Sequence, residues 1–498
     1  MSRTSKRVQR SPTSSSDFAT GQAWPYRLGT SRVYRRLDRK ASHYKIASHM
    51  DPATRRLLDG PIAPTLLRLA APNVVMLVAQ VAISILEAYF VGWLGADALA
   101  GVSVTFPLVM LMQTMSAGGM GGGVASAVAR ALGAGRRVDA SRLVTHAIVI
   151  ALVMGGLFTV TVLGGGGAIY RAMGAREGAL AAALAYSNVI FAGAGAVWLF
   201  NMLASAVRGT GNMLLPAGVV LGGSPFLVSL SPALIFGWGP FPRMGVTGAA
   251  LAVVAYYVAG ALVLFGYLAS GRSLIRLSPT LRFERSLFAE ILRVGAPSLV
   301  NNIMTNLTVV LLTALVGPFG TFALAGYGMG VRLEYLLIPL VFGFGSALVT
   351  MVGTNFGAGQ RTRARRVAWT GALIAAGTTE AIGLTAALFP HAWLGLFSNE
   401  PEVLAAGAAY LRVVGPAYGF FGLGLALYFA SQGAGRLLWP LLAGSLRLVS
   451  AAAGGWLILH QLPGELTALF AVMALALVLF GSTLAGAIRL GAWEAGRR

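Results

Sequence analysis

From about residue 60 onward, apolar stretches of roughly 20 residues alternate with short breaks rich in glycine, proline and arginine. A stretch of that length with few charges is long enough to cross the hydrocarbon core as a helix. Twelve are predicted, at 66–93, 98–127, 143–164, 179–206, 216–236, 246–270, 290–317, 323–351, 367–389, 403–430, 437–459 and 464–487. The longer ones must tilt or protrude from the bilayer. Residues 1–58 have a different character, being rich in Ser and Arg, with 13 Lys and Arg and few apolar residues. No apolar run there has the length of a secretory signal. The segment reads as a disordered cytoplasmic tail, as an extension upstream of a natural start at Met50, or as an organelle transit peptide, and no function is placed in it.

The pattern repeats. Leu67-Arg68-Leu69-Ala70-Ala71-Pro72 returns as Leu292-Arg293-Val294-Gly295-Ala296-Pro297, and Val91-Gly92-x-x-Gly95-x-x-Ala98-Leu99-Ala100-Gly101 as Val316-Gly317-x-x-Gly320-x-x-Ala323-Leu324-Ala325-Gly326, both offset by 225. Leu132-Gly133-Ala134-Gly135 returns as Phe356-Gly357-Ala358-Gly359, and Gly209-Thr210-Gly211 with Pro216 as Gly433-Ala434-Gly435 with Pro440, both offset by 224. Each half carries six spans, so both halves enter the membrane in the same sense. That is a parallel repeat, with a substrate path expected between the halves near the midplane. The predicted fold is therefore an all-α polytopic membrane protein of twelve helices in two six-helix lobes, 59–275 and 276–498, after the basic tail at 1–58. A duplicated bundle without transport is the plainer alternative.

Composition agrees and charge adds orientation. Of 498 residues, 56% are hydrophobic and 11% charged, against about 25% charged in a soluble domain. The net charge of +22 suggests a nucleic-acid partner only until the charges are located. The loops after the even-numbered spans, with the C-terminus, hold 18 arginines, and the tail holds 13 Lys and Arg, whereas the opposite loops hold only Arg171, Arg176 and Arg243. The positive-inside rule then places both termini in the cytoplasm of a multi-pass protein of the cell inner membrane. The charge is an orientation signal, so no nucleic-acid partner is expected. With no cysteine, disulfides and thiolate metal sites are excluded.

At these motifs, over about residues 60–490, the chain resembles the multidrug and toxic compound extrusion (MATE) family. The Val91–Ala100 segment, the Gly-Ala-Gly after spans two and eight, Arg208-Gly209-x-Gly211-Asn212-x-x-x-Pro216 and Leu234-Ile235-Phe236-Gly237 followed by Gly245-Val246-x-Gly248-Ala249 carry the resemblance. It implies a cation-coupled antiporter that expels bulky, often cationic organic compounds by alternating access of two lobes. Small organic substrates, a coupling proton or sodium ion and membrane lipid are the partners it implies, in a monomer without a cofactor.

Three acids fall well inside spans: Glu87, Glu334 and Glu380. Such residues are expensive in lipid and usually face a cavity or a partner. Asn73, Gln80 and Glu87, spaced by seven, share one face of the first helix. Glu87 is the candidate for proton or cation coupling, against the alternative of an acid that only holds helices together. The repeat places Ser298, Thr305 and Leu312 at the matching positions, so the acid belongs to one lobe only. The family usually carries Asp where Glu87 stands, so the resemblance implies the coupling carboxylate there. The chain also departs from the family: Leu227 and Ser231 precede Pro232 where many members carry Asn and Asp, and the C-lobe carboxylate positions of sodium-coupled relatives look like Thr305 and Phe421. The lost oxygen ligands favour a proton over sodium.

Asn73, Gln80, Asn301, Thr305, Arg332 and Glu334 are the cavity and substrate-path candidates, with no metal ligands and no catalytic residues among them. Arg332 is weighed as a partner of Glu87 or of a substrate anion, and as a satisfied structural charge. Arg332 and Glu334, two apart, point to different sides and need not pair. His146, near a span end, reads as a capping or surface histidine. The runner-up within transport is a lipid-linked precursor flippase of the same wider superfamily, which would predict a larger basic cavity and, in some branches, extra spans; it is disfavoured, because Arg332 leads the few buried arginines, with Arg412 and Arg447 as lesser candidates, and the spans number twelve. A membrane-embedded enzyme is disfavoured, because no His-Glu-x-x-His, Gly-x-Ser-x-Gly or phosphate-loop pattern occurs.

Overall fold

The structure is a computed structural model, which describes residues 51–277, 282–462 and 464–494. All regular structure among them is helical. Eleven helices are long and apolar enough to cross a membrane, and a bent pair supplies a twelfth span. In chain order the first lobe contains α1 (Ile62–Gly92), α2 (Ala96–Gly133), α3 (Arg137–Ala172), α4 (Glu177–Ala192 with Ala194–Gly209, bent by 48°), α5 (Leu214–Phe236) and α6 (Val246–Ala269). The second contains α7 (Arg285–Phe319), α8 (Thr321–Gly357), α9 (Arg361–Leu388), α10 (Pro401–Ala434), α11 (Leu438–Gln461) and α12 (Leu466–Arg489). Several spans begin earlier than hydropathy predicts, opening on Arg137, Arg285 and Arg361. The helices continue past the hydrocarbon into the polar interface, where long arginine side chains reach water, and an apolar pattern reports only the part in between.

The sequence repeat has a geometric basis. Gly95 and Gly320, in the turns after α1 and α7, take φ of 108° and 97°, and Gly135 and Gly359, after α2 and α8, take 76° and 75°. That backbone region is strained for any residue with a Cβ, so each turn needs its glycine in both lobes. Pro72 and Pro297 lie at matching points inside α1 and α7. One apolar core runs from Met76 through the first lobe to Leu287 and Ile291 of α7, a second gathers α7 to α12, and a third joins Leu66, Ala70 and Ala125 of the first lobe to α8, α9 and α10 of the second. Large apolar side chains such as Val78, Leu157, Val160, Leu262 and Leu388 are exposed on the outside, as a lipid-facing surface requires.

The lobes meet at the end where the arginines gather. Gly133 of α2 and Gly357 of α8 are repeat partners that cross there: a Cβ on Gly133 would lie 2.0 Å from the Thr354 carbonyl oxygen, and one on Gly357 2.1 Å from that of Arg130. Side chains tie the same end. The Thr350 hydroxyl donates to the Arg208 carbonyl at 2.9 Å, and Gln432 Nε2 donates to the Gly118 carbonyl at 3.0 Å and to Ser298 Oγ at 2.8 Å. The Ser126 hydroxyl donates to the Gln432 carbonyl, and Arg130 reaches the Gly433 and Glu290 carbonyls. Among the described residues no lobe-to-lobe hydrogen bond lies beyond the Asn302 Nδ2 to Thr114 carbonyl bond of 2.9 Å. The outer half of α2, Ala96–Thr114, packs against helices of its own lobe. The molecule is joined at its arginine-rich end and parted at the other.

The tail expected at 1–58 needs correction at its end; residues 1–50 lie outside the described residues. Pro52–Asp59 is a helix, capped by Asp51, whose carboxylate accepts from the Ala53 N–H at 2.8 Å, with Pro52 in the first turn. Thr54, Leu57 and Leu58 are buried while Arg55 and Arg56 face outward. Asn355 Nδ2 of α8 donates to the Leu57 carbonyl at 3.0 Å, Arg363 donates to the Gly60 carbonyl, and the Leu57 side chain abuts Gly211 of the first lobe. The helix thus bridges both lobes at the closed end.

His146 also differs from its sequence reading. It is 1% exposed, packed edge-on against Phe288, with Nδ1 on the Arg142 carbonyl at 2.8 Å and Nε2 accepting the Glu284 N–H at 3.0 Å. It ties the connector between lobes to α3, together with the Arg142–Glu284 ion pair at 2.7 Å. A span-end histidine looks superficial only until the connector folds over it.

Candidate functional site

The first-lobe site forms where α1 and α5 meet. Glu87 stands one turn before Val91, in the outer part of α1, and Ser231 immediately precedes Pro232 inside α5. The Ser231 hydroxyl donates to Glu87 Oε2 at 2.8 Å. Glu87 Oε1 is buried and has no hydrogen-bond partner among the described residues. Beside it, Val91, Phe90, Tyr186 and Ile235 form an apolar cluster, and Leu227, one turn before Ser231, is 5% exposed. One carboxyl group thus has a single donor and one free oxygen in apolar surroundings. Chemically it can hold a proton or one cation ligand, and little else nearby competes for either.

The other members of the α1 stripe do not join it. Asn73 is fully buried, and its Nδ2 donates across the lobe junction to Ser346 Oγ of α8 at 2.6 Å. Its role is lobe contact rather than cavity lining, because α8 packs over the arginine-rich half of α1. Gln80, one turn from the buried Met76, is half-buried on α1. A spacing of seven places residues on one helix face but does not say that one neighbour covers the whole face.

A polar chain in the same lobe escaped sequence reading. Gln113 Nε2 of α2 donates to the Tyr257 hydroxyl of α6 at 2.5 Å, and Asn201 Nδ2 of α4 donates to Gln113 Oε1 at 3.3 Å and to Ser116 Oγ at 2.8 Å. The available signal was two amides, Gln113 and Asn201, inside apolar spans. Ser116 belongs to a π-helical turn, Met115–Met120, which widens α2, carries Gly118 and Gly119 and leads into Gly121, Gly122 and Gly123.

The second-lobe site is a pocket lined by Glu334, Arg447, Tyr327, Tyr335, Tyr410, Thr305 and Phe421 among others. Arg447 of α11 donates to Glu334 Oε1 at 3.0 Å, both side chains being nearly buried at 9% and 12% exposure. The Tyr410 hydroxyl donates to Glu334 Oε2 at 3.2 Å. Thr305 lines the same pocket, its hydroxyl donating to the Asn301 carbonyl at 2.9 Å. Asn301 itself is buried with its Oδ1 close against Gly444 of α11, a helix-packing position. Arg332 is exposed and lies over the Phe397 ring at 5.3 Å; it meets neither Glu87 nor the pocket. Arg447, a lesser candidate by sequence, occupies the buried place considered for Arg332. Glu380 accepts the Gly419 N–H at 2.6 Å, just after the break Gly415–Ala417 in α10, so it satisfies backbone freed by the break.

Two six-helix lobes joined at one end, each with a buried polar site inside its own bundle, define a two-lobed, multi-pass membrane transporter. The MatE family model matches residues 72–233 and 297–457, one match in each lobe. The chain therefore belongs to the MatE family, the multidrug and toxic compound extrusion transporters. It is 28% identical to an FAD transporter of Shewanella oneidensis, over 75% of this chain and 82% of that one. To a probable multidrug resistance protein, NorM, of Thermotoga maritima it is 27% identical over 76% and 82%. Its fold matches that of a MOP superfamily transporter from Pyrococcus furiosus with a TM-score of 0.81 at 23% identity, covering 89% of this chain and 99% of that one. A multidrug resistance MATE family transporter in an outward-facing conformation matches with a TM-score of 0.80 at the same identity and coverage.

Proposed function

We propose that this transporter exports bulky organic compounds, cationic ones among them, in exchange for a proton, with Glu87 as the coupling carboxyl. The observation that carries the reading is the pairing at Glu87, with one oxygen held by Ser231 and the other buried and free. A proton needs only that one oxygen. A sodium ion prefers several oxygen ligands, and of the two positions in α5 that could add them Leu227 offers none and Ser231 one. The names of the relatives, an FAD transporter and multidrug resistance proteins, support organic cargo.

Placing the arginine-rich end in the cytoplasm of the plasma membrane, as the positive-inside rule directs, makes the structure closed to the cytoplasm and parted outward. In that state Glu87 takes up a proton and releases cargo. The lobes then rock, the cytoplasmic contacts separate, and the proton leaves as cargo binds. Arg332 is exposed and adds no charge to a basic cavity of the kind a flippase would use. The test is Glu87→Gln, which keeps shape and removes the titrating group. Efflux of ethidium from cells should fall to that of cells lacking the transporter, at unchanged membrane abundance. Efflux at the wild-type rate would remove Glu87 from the mechanism.

A further inference from the structure

The closed end is built twice over, with one difference. Ser126 of α2 and Thr350 of α8 are repeat partners, offset by 224, and so are Arg208 of α4 and Gln432 of α10. The Ser126 hydroxyl donates to the Gln432 carbonyl and the Thr350 hydroxyl to the Arg208 carbonyl, so the same backbone contact between lobes is made in both halves. The side chains differ. Gln432 is neutral and fully buried, and its Nε2 donates to the Gly118 carbonyl of the first lobe and reaches the Ser298 and Tyr428 hydroxyls of its own. Arg208 brings a charge to the matching place.

That charge meets no acid. Arg208 is 6% exposed, and Nη2 donates to Ser205 Oγ, one turn earlier in α4, at 2.8 Å. Among the described residues, the acids of the arginine-rich end are all engaged elsewhere. Asp51 caps its own helix, Asp59 pairs with Arg55, Asp139 and Glu290 with Arg136, Glu284 with Arg142, and Glu494 with Arg365. The last turn of α4 favours a cation through the helix dipole, but that gain is small beside the penalty of taking a guanidinium out of water. Closing this end removes the water around Arg208, and opening it returns the water. A proton shifts a two-state equilibrium only by its differential affinity for the two states, so a gate worked by one proton needs two states of similar energy. Glycine crossings and neutral hydrogen bonds favour the closed form, and the buried charge opposes it.

We propose that Arg208 is the release element of the gate at the arginine-rich end: its buried, unpaired charge destabilises the closed junction enough for the lobes to part there in each cycle. The proposal rests on the reading that the lobes alternate, and not on which ion or acid drives them.

The test measures gate opening in the purified full-length protein in nanodiscs, without cargo or gradient. Thr354 is 1% exposed where α2 crosses α8, and the chain has no native cysteine. The rate at which a maleimide labels Thr354→Cys therefore reports opening. Arg208→Gln gives the first lobe the residue of the second, and Arg208→Met keeps the length without the charge. On the Thr354→Cys background each should slow labelling about tenfold and raise the melting temperature. Arg208→Lys keeps the charge and should label at the rate of the parent. A melting temperature unchanged or lowered in the neutral variants, or labelling as fast as in the parent, overturns the proposal, because the charge is then compensated where it lies. Labelling of Arg208→Lys as slow as that of the neutral variants overturns it too, since shape and not charge would set the rate. Where one neutral variant does not yield monodisperse protein the other decides, and failure of both makes the charge a support of the fold and refutes the assignment. Neither readout involves Glu87, so a failure of proton coupling leaves the outcome untouched.

Discussion

Glu87 and Glu334 are both acids inside spans, and the difference lies in what each oxygen meets. Glu334 has a donor on each oxygen and a guanidinium as counter-charge, which makes it a fixed element of its pocket. Glu87 has one hydroxyl and no counter-charge, which leaves it free to change state. Ser231→Ala removes that one donor and leaves both oxygens unpartnered, a loss of about 1–3 kcal/mol. Efflux should slow without stopping, and Ser231→Thr, which restores the hydroxyl, should recover it; unchanged rates in Ser231→Ala would mean the bond does not serve transport. Glu87 was legible in the sequence because an acid stands out among apolar residues. Ser231 showed only as a departure from the family pattern, and Arg447 could not be ranked above Arg332. A helix of known phase shows which residues share a face, but the neighbour covering that face is decided by packing between distant spans.

At the scale of elements, glycines and one short helix hold the closed end. The repeat identified Gly133 and Gly357 as partners, and the structure shows each pressed on the other helix's backbone. Gly357→Ala places a methyl group where the Arg130 carbonyl sits and should cost about 1–3 kcal/mol of the closed arrangement. The chain has no native cysteine, so cross-linking can report this on a clean background. With Asn73→Cys and Ser346→Cys introduced, Gly357→Ala should reduce the cross-linked fraction; an undiminished yield would show that the crossing tolerates a side chain.

The helix Pro52–Asp59 was not legible, because two buried leucines and a buried threonine in eight residues make no span, and their partners, α8 and the α4–α5 turn, lie far along the chain. Deleting residues 2–49 spares this helix and should leave transport unchanged. Deleting 2–60 removes the bridge between lobes and should impair transport or lower thermal stability. Equal behaviour of both truncations in efflux and melting would show that the bridge is dispensable.

Across the whole molecule, the twelve spans and the two-lobe repeat were readable, since lipid imposes a length and hydropathy that few other arrangements satisfy. The state of the molecule was not readable. It follows from contacts such as Thr350 to Arg208 and Gln432 to Gly118, which join the lobes only at the arginine-rich end. Under the proposed proton-coupled exchange those contacts are broken and remade in each cycle, and the proton biases that exchange. The central claim, a proton acting at Glu87, is tested most directly by ethidium transport in proteoliposomes with a pH gradient and a sodium gradient imposed separately. Transport should follow the pH gradient, ignore the sodium gradient, and vanish in Glu87→Gln; transport driven by sodium alone, or undiminished in Glu87→Gln, would contradict it.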